Sequence, residues 1–122
     1  MLHKQILSPE QVDLLPLVNK FSADYYLVGG TAVALQIGHR RSIDFDLFSD
    51  KPIDRNVIKR TIDELKLSLD VIFEDADQLT GVVNKVKITW YEYPYATKPT
   101  VDFDDIMKMP DLLTLSAMKA FA

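Results

Sequence analysis

Apolar and polar residues alternate along this chain in ways that predict a short series of helices and strands. Ser8-Pro9-Glu10-Gln11 opens a first helix, with Ser8 as N-cap, Pro9 at the first helical position and Gln11 able to close a capping box. Val12, Leu15, Leu17, Val18 and Phe21 then approximate one apolar face, with Pro16 as a candidate kink. Tyr25 to Val28 is a run of β formers stopped by Gly29-Gly30, and Thr31 stands where a helix would start, continuing to Gly38. In Ser42–Phe48 the period becomes two: Ile43, Phe45 and Leu47 face one way, Asp44 and Asp46 the other.

The second half follows the same logic. Asp54 caps a helix running to about Leu65 or Leu67, with Val57, Ile58, Thr61, Ile62 and Leu65 on one face. Leu69–Phe73 reads as a strand and Glu74–Asp77 as an acidic loop, whose spacing is not that of an EF-hand. Gln78–Val82 and Lys85–Tyr93 read as two strands joined near Val83-Asn84, a hairpin. In the second of these, Val86, Ile88, Trp90 and Glu92 share one face; Lys87, Thr89, Tyr91 and Tyr93 share the other. Tyr93-Pro94-Tyr95 ends the sheet, as surface packing or as an aromatic platform for a base. Thr100–Met109 reads as an extended piece broken by Asp102, Asp104 and Asp105, and Asp111 N-caps a final helix, Leu112–Phe121. The expected fold is α/β (α+β): one domain over residues 1–122, with helices packed on a mixed sheet.

Composition narrows the classes. A hydrophobic content of 48% and a charged content of 26% are those of an ordinary globular domain, and no apolar run is long enough for a transmembrane helix. The absence of cysteine excludes disulfides and thiolate metal sites and fits a cytoplasmic location. Two histidines, His3 and His39, make no case for zinc. The net charge of −4 argues against a general nucleic-acid coat, though not against a local basic patch.

The chemistry-bearing stretch is Tyr25–Phe48. A glycine turn into a helix N-terminus presents amide N–H groups and the positive end of a dipole, which suits a phosphate. Asp44 and Asp46 leave the same face of one strand with Cα atoms about 6.5–7 Å apart. Two such carboxylates repel one another unless a cation lies between them, and oxygen-only ligands on a rigid strand describe Mg²⁺ or Mn²⁺. The competing reading is the polar face of an ordinary edge strand.

Gly29-Gly30-Thr31, followed by His39-Arg40-x-Ser42-x-Asp44-x-Asp46, resembles the signature of nucleotidyltransferases of the DNA polymerase β superfamily, and within it the AbiEii/AbiGii toxin-like family. The resemblance implies transfer of a nucleoside monophosphate from a nucleoside triphosphate (NTP) with release of pyrophosphate. Asp44 and Asp46 would hold the metal ions. A third catalytic carboxylate would come from a neighbouring strand, with Glu92 as first candidate and Asp70 as second. Gly29, Gly30 and Thr31 would hold the triphosphate; Arg40 or Arg41, with Ser42, would neutralise its charge, and Lys119 matches a lysine on the family's later helix. The resemblance also implies the toxin of a type IV toxin–antitoxin system, with a cognate antitoxin as partner and tRNA or another RNA as acceptor. Such proteins usually continue with further helices, and the uncapped Ala-Phe-Ala end fits the N-terminal part of a longer protein. Two other classes stay open: a glycosyltransferase using a metal-bound sugar nucleotide, and a non-catalytic nucleotide-binding or interaction module with a degenerate site.

Overall fold

The computed structural model describes residues 2–38, 43–93, 95 and 97–121, with the backbone only for 119–121. After a 3-10 turn at Lys4–Ile6, the elements are α1 (Pro9–Asp13), α2 (Leu15–Lys20), β1 (Tyr26–Val28), α3 (Gly29–Ile37) and β2 (Phe45–Ser49). Then come α4 (Arg55–Glu64), β3 (Asp70–Glu74), β4 (Gln78–Val83), β5 (Val86–Glu92), β6 (Val101–Phe103), β7 (Met107–Met109) and α5 (Leu112–Phe121). This is the expected mixture of helices and a mixed sheet.

Local signals explain most boundaries. Ser8 and Gln11 form the reciprocal capping box, with the Gln11 N–H donating to Ser8 Oγ at 3.1 Å and the Ser8 N–H to Gln11 Oε1 at 2.9 Å. The single first helix expected from the apolar face is instead two, broken at Leu14. Pro16 sits in the first turn of α2, where its missing N–H costs nothing, so the chain restarts a helix there rather than bending one. Asp54 caps α4 by accepting from the N–H groups of Asn56 and Val57, and the Asp111 carboxylate accepts from the Thr114 N–H at 2.8 Å.

The main sheet has the order β1-β2-β5-β4-β3. Its central pair, β2 and β5, is parallel, and the other three pairings are antiparallel. Asn84 and Lys85 both take positive φ in the tight turn between β4 and β5. Residues 100–109 form a second hairpin, β6–β7, rather than a broken extended piece. Asp104 and Asp105 make it by adopting positive φ, which aspartate tolerates better than most residues.

One face of the sheet is the core. Phe45, Leu47, Ile88 and Trp90 are fully buried there together with Leu14 and Leu17 and with Ile58 and Ile62 of α4. The Phe21 and Trp90 rings meet edge-on at 5.5 Å. Burying each such side chain contributes roughly 1.5–3 kcal/mol. At the far edge β3 is exposed along its whole length, including Val71, Ile72 and Phe73, and carries a bulge between Val71 and Phe73.

Candidate functional site

The site forms where β1 turns into α3 beside the start of β2. Gly29 has φ +74°, a left-handed value that side chains disfavour, and α3 begins at that residue. The helix therefore starts two residues earlier than Thr31, and its N-cap, Val28, contributes no side-chain hydrogen bond. Thr31 is buried, and its hydroxyl donates to the backbone carbonyl of Asp44. The Gln11 side-chain amide, also fully buried, donates to the same carbonyl at 3.4 Å. Two elements distant in sequence thus fix the chain as it enters β2.

That entry aims Asp46 at the glycine turn. Asp46 lies opposite Val28 on β1 and Thr89 on β5. A Cβ built on Gly29 would overlap the Asp46 Oδ2 oxygen and lie 3.0 Å from its Cγ. Gly29 is needed twice, for the backbone angle and for the space the carboxylate occupies. Burial, reinforced by the negative charge of Asp44 and opposed by Lys87, pushes the Asp46 carboxyl up from 3.8 to about 6. A carboxylate that resists ionisation next to another carboxylate is the electrostatic setting in which a cation binds well.

The register also decides which further groups join the pair. Thr89 shares the Asp46 face, and its hydroxyl is 3.1 Å from that of buried Thr80, which accepts from Gln78 Nε2 at 2.9 Å. A short polar chain therefore crosses β4 and β5 toward Asp46. Lys87, two residues before Thr89, adds an exposed ammonium on the same face. Glu92 lies opposite Ser49, an odd number of residues along from the Asp46–Thr89 pair, so its side chain leaves the other face. The structure does not bring Glu92 to the acidic pair. Asp70 is on the outer strand β3, separated from β2 by β4 and β5, and is not brought there either. Among the described residues no three His, Cys, Asp or Glu side chains gather as a metal-binding group. An ion held by Asp44 and Asp46 would need water or ligand oxygens in its other positions.

Arg40, Arg41 and Ser42 lie outside the described residues, as does His39. Lys119 is on α5, and its side chain is likewise outside them. Tyr93 is buried and stacked on Phe48 at 5.2 Å, so this residue of the aromatic corner is packing; Tyr95, edge-on to Tyr93, is exposed. Reasoning from sequence missed Gln11, Lys87 and Thr89. The alternation in β5 already grouped Lys87 with Thr89, but only strand order and register reveal which face meets Asp46.

No protein-family profile matches the chain. Over 74 residues, 59% of its length, it is 39% identical to the uncharacterized protein aq_aa25 of Aquifex aeolicus (strain VF5). The matched region spans 35% of that protein.

Proposed function

We propose that the chain carries the core of a metal-dependent nucleotidyltransferase that moves a nucleoside monophosphate from an NTP to an acceptor hydroxyl. The observation that carries this reading is the Asp46 carboxylate seated on the Gly29 turn at the start of α3, with Asp44 two residues earlier, just before β2 begins. Amide groups at the N-terminus of α3 would bind phosphate oxygens, and Asp44 and Asp46 would hold Mg²⁺ or Mn²⁺. When bound, the metal would lower the pKa of the acceptor hydroxyl and offset charge on the phosphates. Lys87 would add a positive charge beside the same face. The acceptor oxygen would bond to the α-phosphorus as the bond to pyrophosphate breaks and the hydroxyl proton is lost to water. An RNA acceptor such as tRNA, a toxin role and a cognate antitoxin extend this proposal on the strength of the sequence resemblance.

A second reading is favoured by one specific observation. The residues of β5 that flank the acidic pair on its own face are Thr89 and Lys87, not a carboxylate. A site with two carboxylates and a lysine suits a module that binds a nucleotide without transferring it. Calorimetric titration with each NTP, with and without Mg²⁺, on the wild type and Asp44→Asn tests the binding. Mg²⁺-dependent binding lost in the variant supports the site, and release of labelled pyrophosphate separates transferase from binding module. Absence of nucleotide binding both with and without Mg²⁺ refutes both.

A further inference from the structure

The two edges of the main sheet differ. On the β1 side the β6–β7 hairpin packs beside the outer strand through β7. On the other side β3 pairs only with β4, so its outward N–H and C=O groups have no neighbouring strand among the described residues. The side chains there are large and apolar: Val71 is 46% exposed, Ile72 60% and Phe73 49%. Neither proline nor lysine, which commonly blunt an edge, occurs in the strand. The bulge does not close it either. Val71 stays opposite Gly81 and Phe73 opposite Thr80, while Ile72, the most exposed of the three, is the residue left without a partner on β4. Three adjacent apolar residues on an open edge are a template for pairing with another strand.

Charge decides what kind of strand. Glu74 is matched by Arg55, but Asp70 at one end of β3 and Asp75 and Asp77 at the other engage no lysine or arginine among the described residues. The Asp77 N–H donates to the Asp75 carboxylate at 2.9 Å and the Asp75 N–H to the Gln78 carbonyl at 2.9 Å, which holds both carboxylates in a tight loop beside the end of the strand. A second copy of this chain fits poorly. Antiparallel pairing about Ile72 sets Asp70 opposite Glu74 at both ends, and in-register parallel pairing sets each carboxylate against its own copy. Like charges directly opposite one another are destabilising, whereas a segment that brings its own positive charge is attracted.

We propose that β3 is a docking edge for an extended segment of a partner protein, apolar at alternate positions and with lysine or arginine at its ends, which joins the five-stranded sheet as a further strand. Main-chain hydrogen bonds supply the affinity, and Val71, Ile72 and Phe73 supply the apolar contact. Asp70, Asp75 and Asp77 supply the preference for a basic segment. Strands β4 and β5 separate this edge from Asp46, so the docking is independent of the nucleotide reading.

The test is an NMR titration of the whole chain with a short blocked peptide of alternating threonine and valine that carries lysine at both ends, and separately with its counterpart ending in glutamate. The lysine peptide should give saturable amide shifts centred on β3. The glutamate peptide should bind about tenfold more weakly, and Asp70→Asn should weaken the lysine peptide by about two- to fivefold. Ile72→Lys puts a like charge in the middle of the edge and should abolish the shifts while leaving the melting temperature unchanged. Equal binding of the two peptides, shifts confined to the loop of residues 75–77, or no saturation by the lysine peptide would overturn the proposal. So would sedimentation of the chain alone as a dimer that Ile72→Lys dissociates, because the edge would then belong to a second copy.

Discussion

Asp46→Asn isolates the electrostatic cost of the candidate site. Asparagine keeps the shape of the side chain and removes the charge that burial and Asp44 oppose. Raising a carboxyl from 3.8 to about 6 means that its ionised form is disfavoured in the folded protein. At about 1.4 kcal/mol per pKa unit, this costs roughly 3 kcal/mol at neutral pH. The folded state holds this proton more tightly than the unfolded chain, so the group contributes stability below about pH 4. That contribution is lost as pH rises through about 6. Asp46→Asn should therefore be more stable than the wild type at pH 7.5 by about 2–3 kcal/mol, or roughly 8–12 °C in melting temperature. The difference should shrink between pH 6 and pH 4. Urea denaturation of both proteins across that range measures it directly. A variant that is less stable at pH 7.5, or a difference that does not change with pH, would refute the argument.

Other perturbations probe the geometry around the pair. Gly29→Ala combines a disfavoured backbone angle with displacement of the Asp46 carboxylate; it should lose about 1–3 kcal/mol in denaturation and shift the Asp46 titration seen by NMR. Thr31→Val removes one of the two side-chain donors to the Asp44 carbonyl and should cost about 1–2 kcal/mol, with loss of nucleotide affinity if the entry to β2 positions the acidic pair. Arg55 pairs with Glu74 at 2.6 Å where both are about a third exposed, so Arg55→Ala should cost no more than about 1 kcal/mol, and less in high salt. Ile72→Lys on the exposed edge strand should leave the melting temperature nearly unchanged and lower aggregation measured by light scattering.

The strongest local signals were readable because the responsible groups are neighbours in sequence. The Ser8–Gln11 box, the Asp54 and Asp111 caps and the alternation of β2 and β5 each depend on a few adjacent residues. The helix break at Leu14 and the β6–β7 hairpin were less visible, because a proline and two aspartates each allow more than one local solution. The candidate site was legible in part. Gly29 and the Asp44–Asp46 pair announce themselves by spacing, but Glu92 could be placed only by register. One residue of offset between parallel strands decides whether a carboxylate meets the pair or leaves the opposite face. Gln11 looks like a helix cap and serves as one through its side-chain oxygen, yet its side-chain amide nitrogen donates to an element that no local pattern connects to it.

The parallel pairing of β2 with β5 has a consequence for the order of assembly. The β4–β5 hairpin closes through a two-residue turn and needs only local contacts, whereas β2 can join β5 only after α4, β3 and β4 have been looped out. Loop-closure entropy predicts that this docking is the slow event in folding. Until it happens, Asp46 remains in water and ionises as an ordinary aspartate. The electrostatic penalty of the site would then fall on that step, and a protonated or cation-bound Asp46 should speed the chain's closure as well as stabilise its end state.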